Sequence, residues 1–293
     1  MGNTVEMQDI RGLDIDKLAK GFAEETYVFK ADCQVSKMSG DSVRWFQKTA
    51  GTLTATAPST ITDVSPLSTP ATLGVSWTRN TSYKKKFFVE GFISMEDIED
   101  ADVGALATTI RDLTISVTSA VDAHIWDIMS ESQSPSDIQS FATTAVGGDQ
   151  WDALNYAADI IKDLMRAKRM IKAYRYNPEG ASLYLDPVGY ESLVNWLISG
   201  KGSSIPGFSS EKIKSGVVMS ILGLNVKVSN NVTTDFALVV VPKRATTYKE
   251  RHGVTAKVIK DEMIGSNIRV MSSGVAYNTD PKAIVLITDV NTA

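Results

Sequence analysis

Apolar and polar positions change rhythm several times along this chain. Leu106, Ile110, Leu113, Val117, Val121, His124 and Ile128 follow one another at steps of three and four. That period places them on one face of an α-helix. Ahead of them lies "SMED", with Ser94 three residues before Asp97 as in a capping box. The helix is therefore expected to start at Ser94 and run about thirty residues, ~45 Å at 1.5 Å per residue. Asp97, Glu99, Asp100 and Asp102 gather in its first turns, where the helix dipole favours acids. Gly104 predicts a weak or kinked start, and frequent Ser, Thr and Val keep intrinsic helicity modest. Tertiary packing must hold this helix.

The residues before it follow another rule. "ATLGVSWTRN", residues 71–80, alternates Leu73, Val75 and Trp77 with small or polar neighbours, which is strand patterning. "VRWFQKTAGTLTATA", residues 43–57, is a plausible antiparallel partner, and Pro58, Pro66 and Pro70 mark the tip between them. Such a pair has few large apolar residues near its middle. An isolated hairpin is marginal in water, so this one is expected to rest on another surface. Residues 1–40 show no strong period and hold Gly2, Gly12, Gly21 and Gly40. They read as an arm that needs a partner surface to become ordered.

After the long helix, residues 131–149 form a connection. A second helix is expected from Trp151 to Tyr174, with Leu154, Ala157, Ala158, Ile161, Leu164 and Met165 inward. Asn177-Pro178-Glu179-Gly180 signals a turn, "SLYL" a short strand, and Pro187 the first turn of a third helix through Leu197. A Gly- and Ser-rich loop covers residues 199–216. Strands are then expected at "VVMSILGLNVKVS", "FALVVVPK", "TAKVIKDEM", "IRVMSSGVAY" and "AIVLITDV", the last apolar enough to lie mid-sheet. The fold class is α+β.

Composition narrows the function classes. The chain is 43% apolar and 22% charged over 293 residues, an ordinary globular balance. The net charge of −4 argues against a sequence reader of nucleic acid, which carries a basic excess. "FALVVVP", residues 236–242, is the most apolar run and far short of a bilayer span, so no membrane partner is expected. The first residues lack a basic start followed by an apolar core, so no secretory signal is expected. The single cysteine, Cys33, fits a reducing compartment.

Candidate chemistry is sparse. His124 lies on the apolar stripe and reads as a packed or interface residue; His252, in "KERHGVTA", reads as a solvated turn residue. HExxH, CxxC and GxGxxG spacings are absent, and "NWLISGKGS" misses a phosphate loop at two defining positions. The acids at the helix start lack the spacing of a calcium loop. No catalytic residue, metal or cofactor is therefore expected, and the protein is not read as an enzyme. One feature is unusual. "SYKKKFFVEGFISMEDIEDAD", residues 82–102, passes from three lysines through an apolar patch into an acidic cluster. Arg44, Trp45, Trp77, Arg79, Lys84, Lys85, Lys86, Phe87 and Phe88 lie on or beside the coreless strand pair and are candidate inter-subunit contacts.

The order of these segments resembles a known family. "FFVEGFISMEDIEDADVGALATTIRDLTISVTSAVDAHIWDI", residues 87–128, is similar to the passage from extended loop to spine helix in Hong Kong 97-type major capsid proteins of tailed double-stranded DNA viruses. The family's acidic stretch matches at Ser94, Glu96, Asp100 and Ala101, and its late helical motif at Ala120, Val121 and Asp122. "YNPEGASLYLDPVGYESLVNWL", "ILGLNVKVSNNV" and "DPKAIVLI" resemble its later segments, in order.

The resemblance implies an N-terminal arm (1–40), an extended β-hairpin loop (41–93), the spine helix of a peripheral domain (94–135), a mainly axial domain (136–245) and strands returning to the peripheral domain (246–293). It implies self-assembly through pentamers and hexamers into an icosahedral shell around double-stranded DNA held without sequence-specific contacts. Portal, scaffold or cement proteins are further partners the family uses. The expected location is the virion capsid, assembled in the host cytoplasm. The same resemblance leaves open an encapsulin-like compartment shell, and the residues leave open a soluble enzyme with a dispersed site in "GKGSSIPGF".

Overall fold

The computed structural model describes residues 27–48, 65–69, 77–100, 105–134, 136–146, 148–153, 159–199, 220–261 and 264–291. In chain order the strands are β1 (Gln34–Lys37), β2 (Ser42–Gln47), β3 (Thr78–Tyr83), β4 (Lys85–Ser94), β5 (Gln139–Ala142) and β6 (Ser182–Leu185). Then come β7 (Ser220–Ile221), β8 (Leu224–Val228), β9 (Ala237–Val240), β10 (Thr246–Asp261), β11 (Gly265–Asn278) and β12 (Ile284–Thr288). The α-helices are α1 (Met95–Asp100), α2 (Ala105–Met129), α3 (Ile160–Ala173) and α4 (Pro187–Ser199). The chain forms two compact units.

The first unit holds the described residues of Met1–Val43, Thr81–Met129 and Thr247–Tyr277. Its sheet runs β1-β10-β11-β4, with β1 parallel to β10 and β11 antiparallel to β4. The stripe on α2 packs on one face of this sheet. Ile110 and Val117 join Ile93, Val254, Ala256, Ile268 and Val270 in one buried cluster, with Leu106, Leu113, Phe87 and Val89 beside it. The expected helix start holds too: the Oγ of Ser94 accepts the N–H of Asp97 at 3.1 Å. The predicted single helix corresponds to α1 and α2, while Gly104 lies outside the described residues. Where β11 begins, Gly265 takes φ 148° opposite Ser94, and a Cβ there would stand 2.2 Å from the carbonyl oxygen of Ile93. Only glycine fits that approach.

The second unit holds the described residues of Arg44–Asn80, Ser130–Thr246 and Asn278–Ala293. Its six-stranded sheet runs β5-β12-β9-β6-β8-β7. As expected, β12 lies inside the sheet, parallel to β5 and antiparallel to β9. Helix α3 packs on β12, and α4 packs on β6. The chain from Asn177 to Gly180 turns as expected: Gly180 has φ 73°, and the Ala181 N–H meets the Pro178 carbonyl at 3.2 Å.

Several expectations are corrected. Residues 246–293 do not return as one block. Strands β10 and β11 belong to the first unit, but β12 pairs in the sheet of the second. Strand partnership is non-local, and an apolar run does not encode which sheet it completes. The stretch 217–229 contains a hairpin rather than one strand: Leu222 and Gly223, both at positive φ, turn the chain between β7 and β8. His252 is no turn residue, since it sits within β10. Trp151–Ala153 is a turn rather than the start of α3, held by the Trp151 N–H on the Val290 carbonyl at 2.7 Å. Helix α3 turns Ile160, Leu164, Ala167 and Ile171 inward, whereas Ile161 and Met165 are 39% and 52% exposed. Leu154, Ala157, Ala158 and the loop "GKGSSIPGF" lie outside the described residues.

Candidate functional site

The junction between β3 and β4 carries the three lysines, and each meets a different partner. Lys84 Nζ contacts Asp41 Oδ1 at 2.6 Å, and its N–H meets the Asp41 carbonyl at 3.0 Å. Arg251 pairs with the same carboxylate. Lys84 foremost, with help from Arg251, holds the Asp41 carboxyl below the usual carboxylate range. Lys85 Nζ lies 3.2 Å from His124 Nδ1. An ammonium can only donate, so Nδ1 accepts and the imidazole carries its proton on Nε2. Burial, and then the charge of Lys85, push the His124 pKa down to about 4, so the ring is neutral at neutral pH. Lys86 Nζ stands 4.7 Å from the centroid of the Phe88 ring, a cation–π distance.

Strand alternation then sorts the aromatic residues. Phe87 points to the core side, beside the α2 cluster and with its ring centroid 5.9 Å from that of His124. Phe88 and Phe92 point the other way and are 49% and 55% exposed. In the antiparallel register Phe88 stands opposite Met271, Glu90 opposite Arg269, and Phe92 opposite Asn267. Arg269 Nε donates to Glu90 Oε2 at 2.5 Å. The face of β4 turned away from α2 is thus aromatic with a charged pair between its rings. β4 is also a sheet edge, ten residues long. A long exposed edge with apolar side chains is a ready surface for another chain.

The foot of the expected arm is bound within the first unit. Asp122 on α2 is 2% exposed, and its carboxylate accepts the N–H groups of Val28, Phe29 and Lys30 at 2.6, 3.3 and 3.3 Å. Burial raises the pKa of this carboxyl, and the three backbone donors oppose that rise. Phe29 is fully buried, its ring centroid 5.7 Å from that of Trp126. Lys30 Nζ meets Glu250 Oε1 at 2.7 Å. β1 then adds to β10. Residues 27–37 are therefore ordered by their own unit rather than by a partner, which corrects the boundary drawn at residue 40. Residues 1–26 lie outside the described residues.

β2 and β3 pair as the strand pattern predicted. Arg44, Trp77 and Arg79 are exposed and Trp45 is half-buried. Gln47 anchors the pair: its amide donates to Asp137 Oδ2 at 2.9 Å, and its Oε1 accepts from Asn80 Nδ2 at 2.9 Å. Leu73 and Val75 lie outside the described residues.

Of the nine candidates, the structure brings Lys84, Lys85, Lys86, Phe87 and Phe88 together at the start of β4 and places Arg44, Trp45, Trp77 and Arg79 on or beside β2 and β3. Sequence reasoning missed Phe92, Gln47 and the role of Asp122. The i, i+4 repeat of Phe88 and Phe92 on an even-numbered face was the available signal for the first. Among the described residues no three His, Cys, Asp or Glu side chains gather as a metal site, and no helix is long and apolar enough to cross a membrane.

Comparison with known proteins follows the same lines. Residues 91–287 match a family model described as phage capsid protein. No curated protein matches the sequence. Among solved structures, the capsid of cyanophage P-SCSP1u is similar with TM-score 0.66 at 14% identity, covering 91% of this chain and 89% of that one. Mycobacterium phage Che8 gives 0.63 at 17%, covering 91% and 92%. A virus-like particle from Pyrococcus furiosus gives 0.62 at 11%, covering 94% and 99%.

Proposed function

The chain belongs to the phage capsid protein family and is a major capsid protein of the Hong Kong 97-type fold, a structural subunit that self-assembles into an icosahedral shell of the virion; we propose that this shell encloses double-stranded DNA. The first unit then corresponds to the peripheral domain and α2 to its spine helix, and the second unit to the axial domain. Assembly proceeds through pentamers and hexamers in the host cytoplasm, with portal, scaffold or cement proteins as further partners.

The observation that carries the assembly surface is the face of β4 turned away from α2. Phe88 and Phe92 would each add roughly 1.5–3 kcal/mol on full burial, about half of which remains available at their present exposure. We propose that a second copy covers this face, and that Arg44, Trp45, Trp77 and Arg79 of the strand pair contact another subunit. Lys86, held over Phe88, belongs to the same surface. Lys84 and Lys85 already meet Asp41 and His124, so their first role is to fix the loop base.

The fold is shared with a virus-like particle, so cargo separates the genome shell from an encapsulin-like compartment. Purified particles treated with nuclease are expected to retain a duplex DNA genome. Particles that hold only protein cargo would support the compartment instead. A discrete small oligomer with turnover would overturn both.

A further inference from the structure

The chain carries a formal charge of −4, yet residues 160–175 hold Lys162, Arg166, Lys168, Arg169, Lys172 and Arg175 against a single acid, Asp163. Helix α3 explains where that charge goes. Its buried side is Ile160, Leu164, Ala167 and Ile171. Lys162, Arg166, Arg169 and Lys172 follow at steps of four, three and three, so they line the opposite side. Lys162, Arg169 and Lys172 are exposed, and Arg166 lies 4.4 Å from the centroid of the Phe141 ring. The one acid, Asp163, accepts the indole N–H of Trp151 at 3.1 Å with its Oδ2 and also feels the charges of Arg166 and Lys162, so it offsets the basic face only in part. Lys168 pairs with Glu179 at 2.9 Å and donates to the Leu222 carbonyl at 2.7 Å. Among the described residues no carboxylate forms an ion pair with Lys162, Arg169 or Lys172. Beside the last turns of the helix, Met165, Arg169, Lys172, Pro178 and Glu179 line an open groove of about 500 Å³.

Like charges three and four residues apart repel one another, so this face weakens the free helix. A dense polyanion removes that repulsion. Lys162 to Lys172 spans ~15 Å of helix axis, along which duplex DNA presents roughly one phosphate charge every 1.7 Å. Arginine suits phosphate oxygens through its forked donors, and the face is too polar and broken for a dry protein contact. The competing occupant is an acidic surface of a neighbouring subunit. The exposed acids of α1, Glu96 and Asp97, already stand at a helix start that stabilises them.

We propose that the solvent face of α3 contacts the phosphate backbone of the DNA inside the shell, without reading its sequence. This rests on the reading that the shell encloses DNA. The test compares three full-length chains: wild type, Lys162→Gln/Arg169→Gln/Lys172→Gln, and a control with equal charge loss on exposed strand positions, Lys37→Gln/Lys257→Gln/Lys260→Gln. Unassembled chain is titrated with a mixed-sequence 30-bp duplex over a range of salt. The α3 variant is expected to lower the log–log salt slope by about 2–3, one contact per lost cation, while the control keeps the wild-type slope. Both variants are expected to form shells. An unchanged slope, no measurable duplex binding by wild type, or an equal fall in the control overturns the proposal. Failure of the α3 variant to form shells, seen by electron microscopy, reassigns the face to a neighbouring subunit and overturns it as well. Nuclease-protected DNA in wild-type particles shows separately whether the parent reading stands.

Discussion

The two sheets of this subunit bury their strands in different ways. At the centre of the six-stranded sheet, β6 and β9 are buried at every position and β12 at all but its last, so both faces of these strands are covered within the chain. In the four-stranded sheet, β4 alternates: one face meets α2, and the other leaves Phe88 and Phe92 open. A sheet covered on both sides is complete as a subunit. A sheet covered on one side among the described residues, with a long aromatic edge strand, offers a surface on which a further segment can pack. The contrast separates residues that fold the subunit from those proposed to join subunits.

Breaking the complete sheet should cost most. Leu286 on β12 is fully buried between β5 and β9. Leu286→Ala is expected to destabilise the unassembled chain by about 2–5 kcal/mol, read from its urea midpoint. A loss below about 1 kcal/mol would erase the distinction between the two sheets.

The next largest effect is expected at Asp122. Asp122→Ala leaves the N–H groups of Val28, Phe29 and Lys30 without their acceptor, at a cost of about 2–4 kcal/mol. Hydrogen exchange should speed up at those three amides. Unchanged protection there would show that the foot of the arm is held by other contacts.

A pH effect sharpens the same unit. His124 has a folded pKa of about 4 against 6.5 in the unfolded chain, because burial disfavours its charged form. The unfolded state therefore binds more protons between those values, and stability rises with pH. The contribution is fully present above about pH 6.5 and is lost as pH falls towards about 4. Its size is on the order of 2 kcal/mol after allowing for partial solvent screening. His124→Leu should flatten the pH dependence of the urea midpoint across that window; an unchanged slope would remove His124 from the account.

Much of this division was legible in the sequence, and the gaps have physical causes. The stripe from Leu106 to Ile128 and the Ser94 cap are local patterns, and both appear where the spacing placed them. The strand at Ile284–Thr288 was legible as interior, but its sheet was not, because register is set by partners far along the chain. His252 was hidden by "KERHG": charges read as a turn, although within β10 they find partners in the same unit, Glu250 with Lys30 and Arg251 with Asp41. The turn at Leu222–Gly223 was hidden by an apolar run with a single glycine. Asp122 was legible as part of a family motif, but its use as a clamp joins residues 92 positions and more apart. The exposed side of α3 was mistaken because Ile161 and Met165 are apolar, while Ile160, Ala167 and Ile171 define the better face.

The smallest effect on folding should come from the open face. Phe92→Ser is expected to lower subunit stability by only about 1 kcal/mol, since the ring is already half exposed and lies outside the buried cluster. Shell yield should nevertheless fall several-fold. A large stability loss with normal shells would reverse the roles assigned to the two sheets.

A three-dimensional reconstruction of the purified wild-type particle tests the central claim most directly. A closed icosahedral shell is expected, in which a second copy covers Phe88 and Phe92. A particle whose β4 face lies open to solvent, or a preparation of tubes or small oligomers, would contradict it.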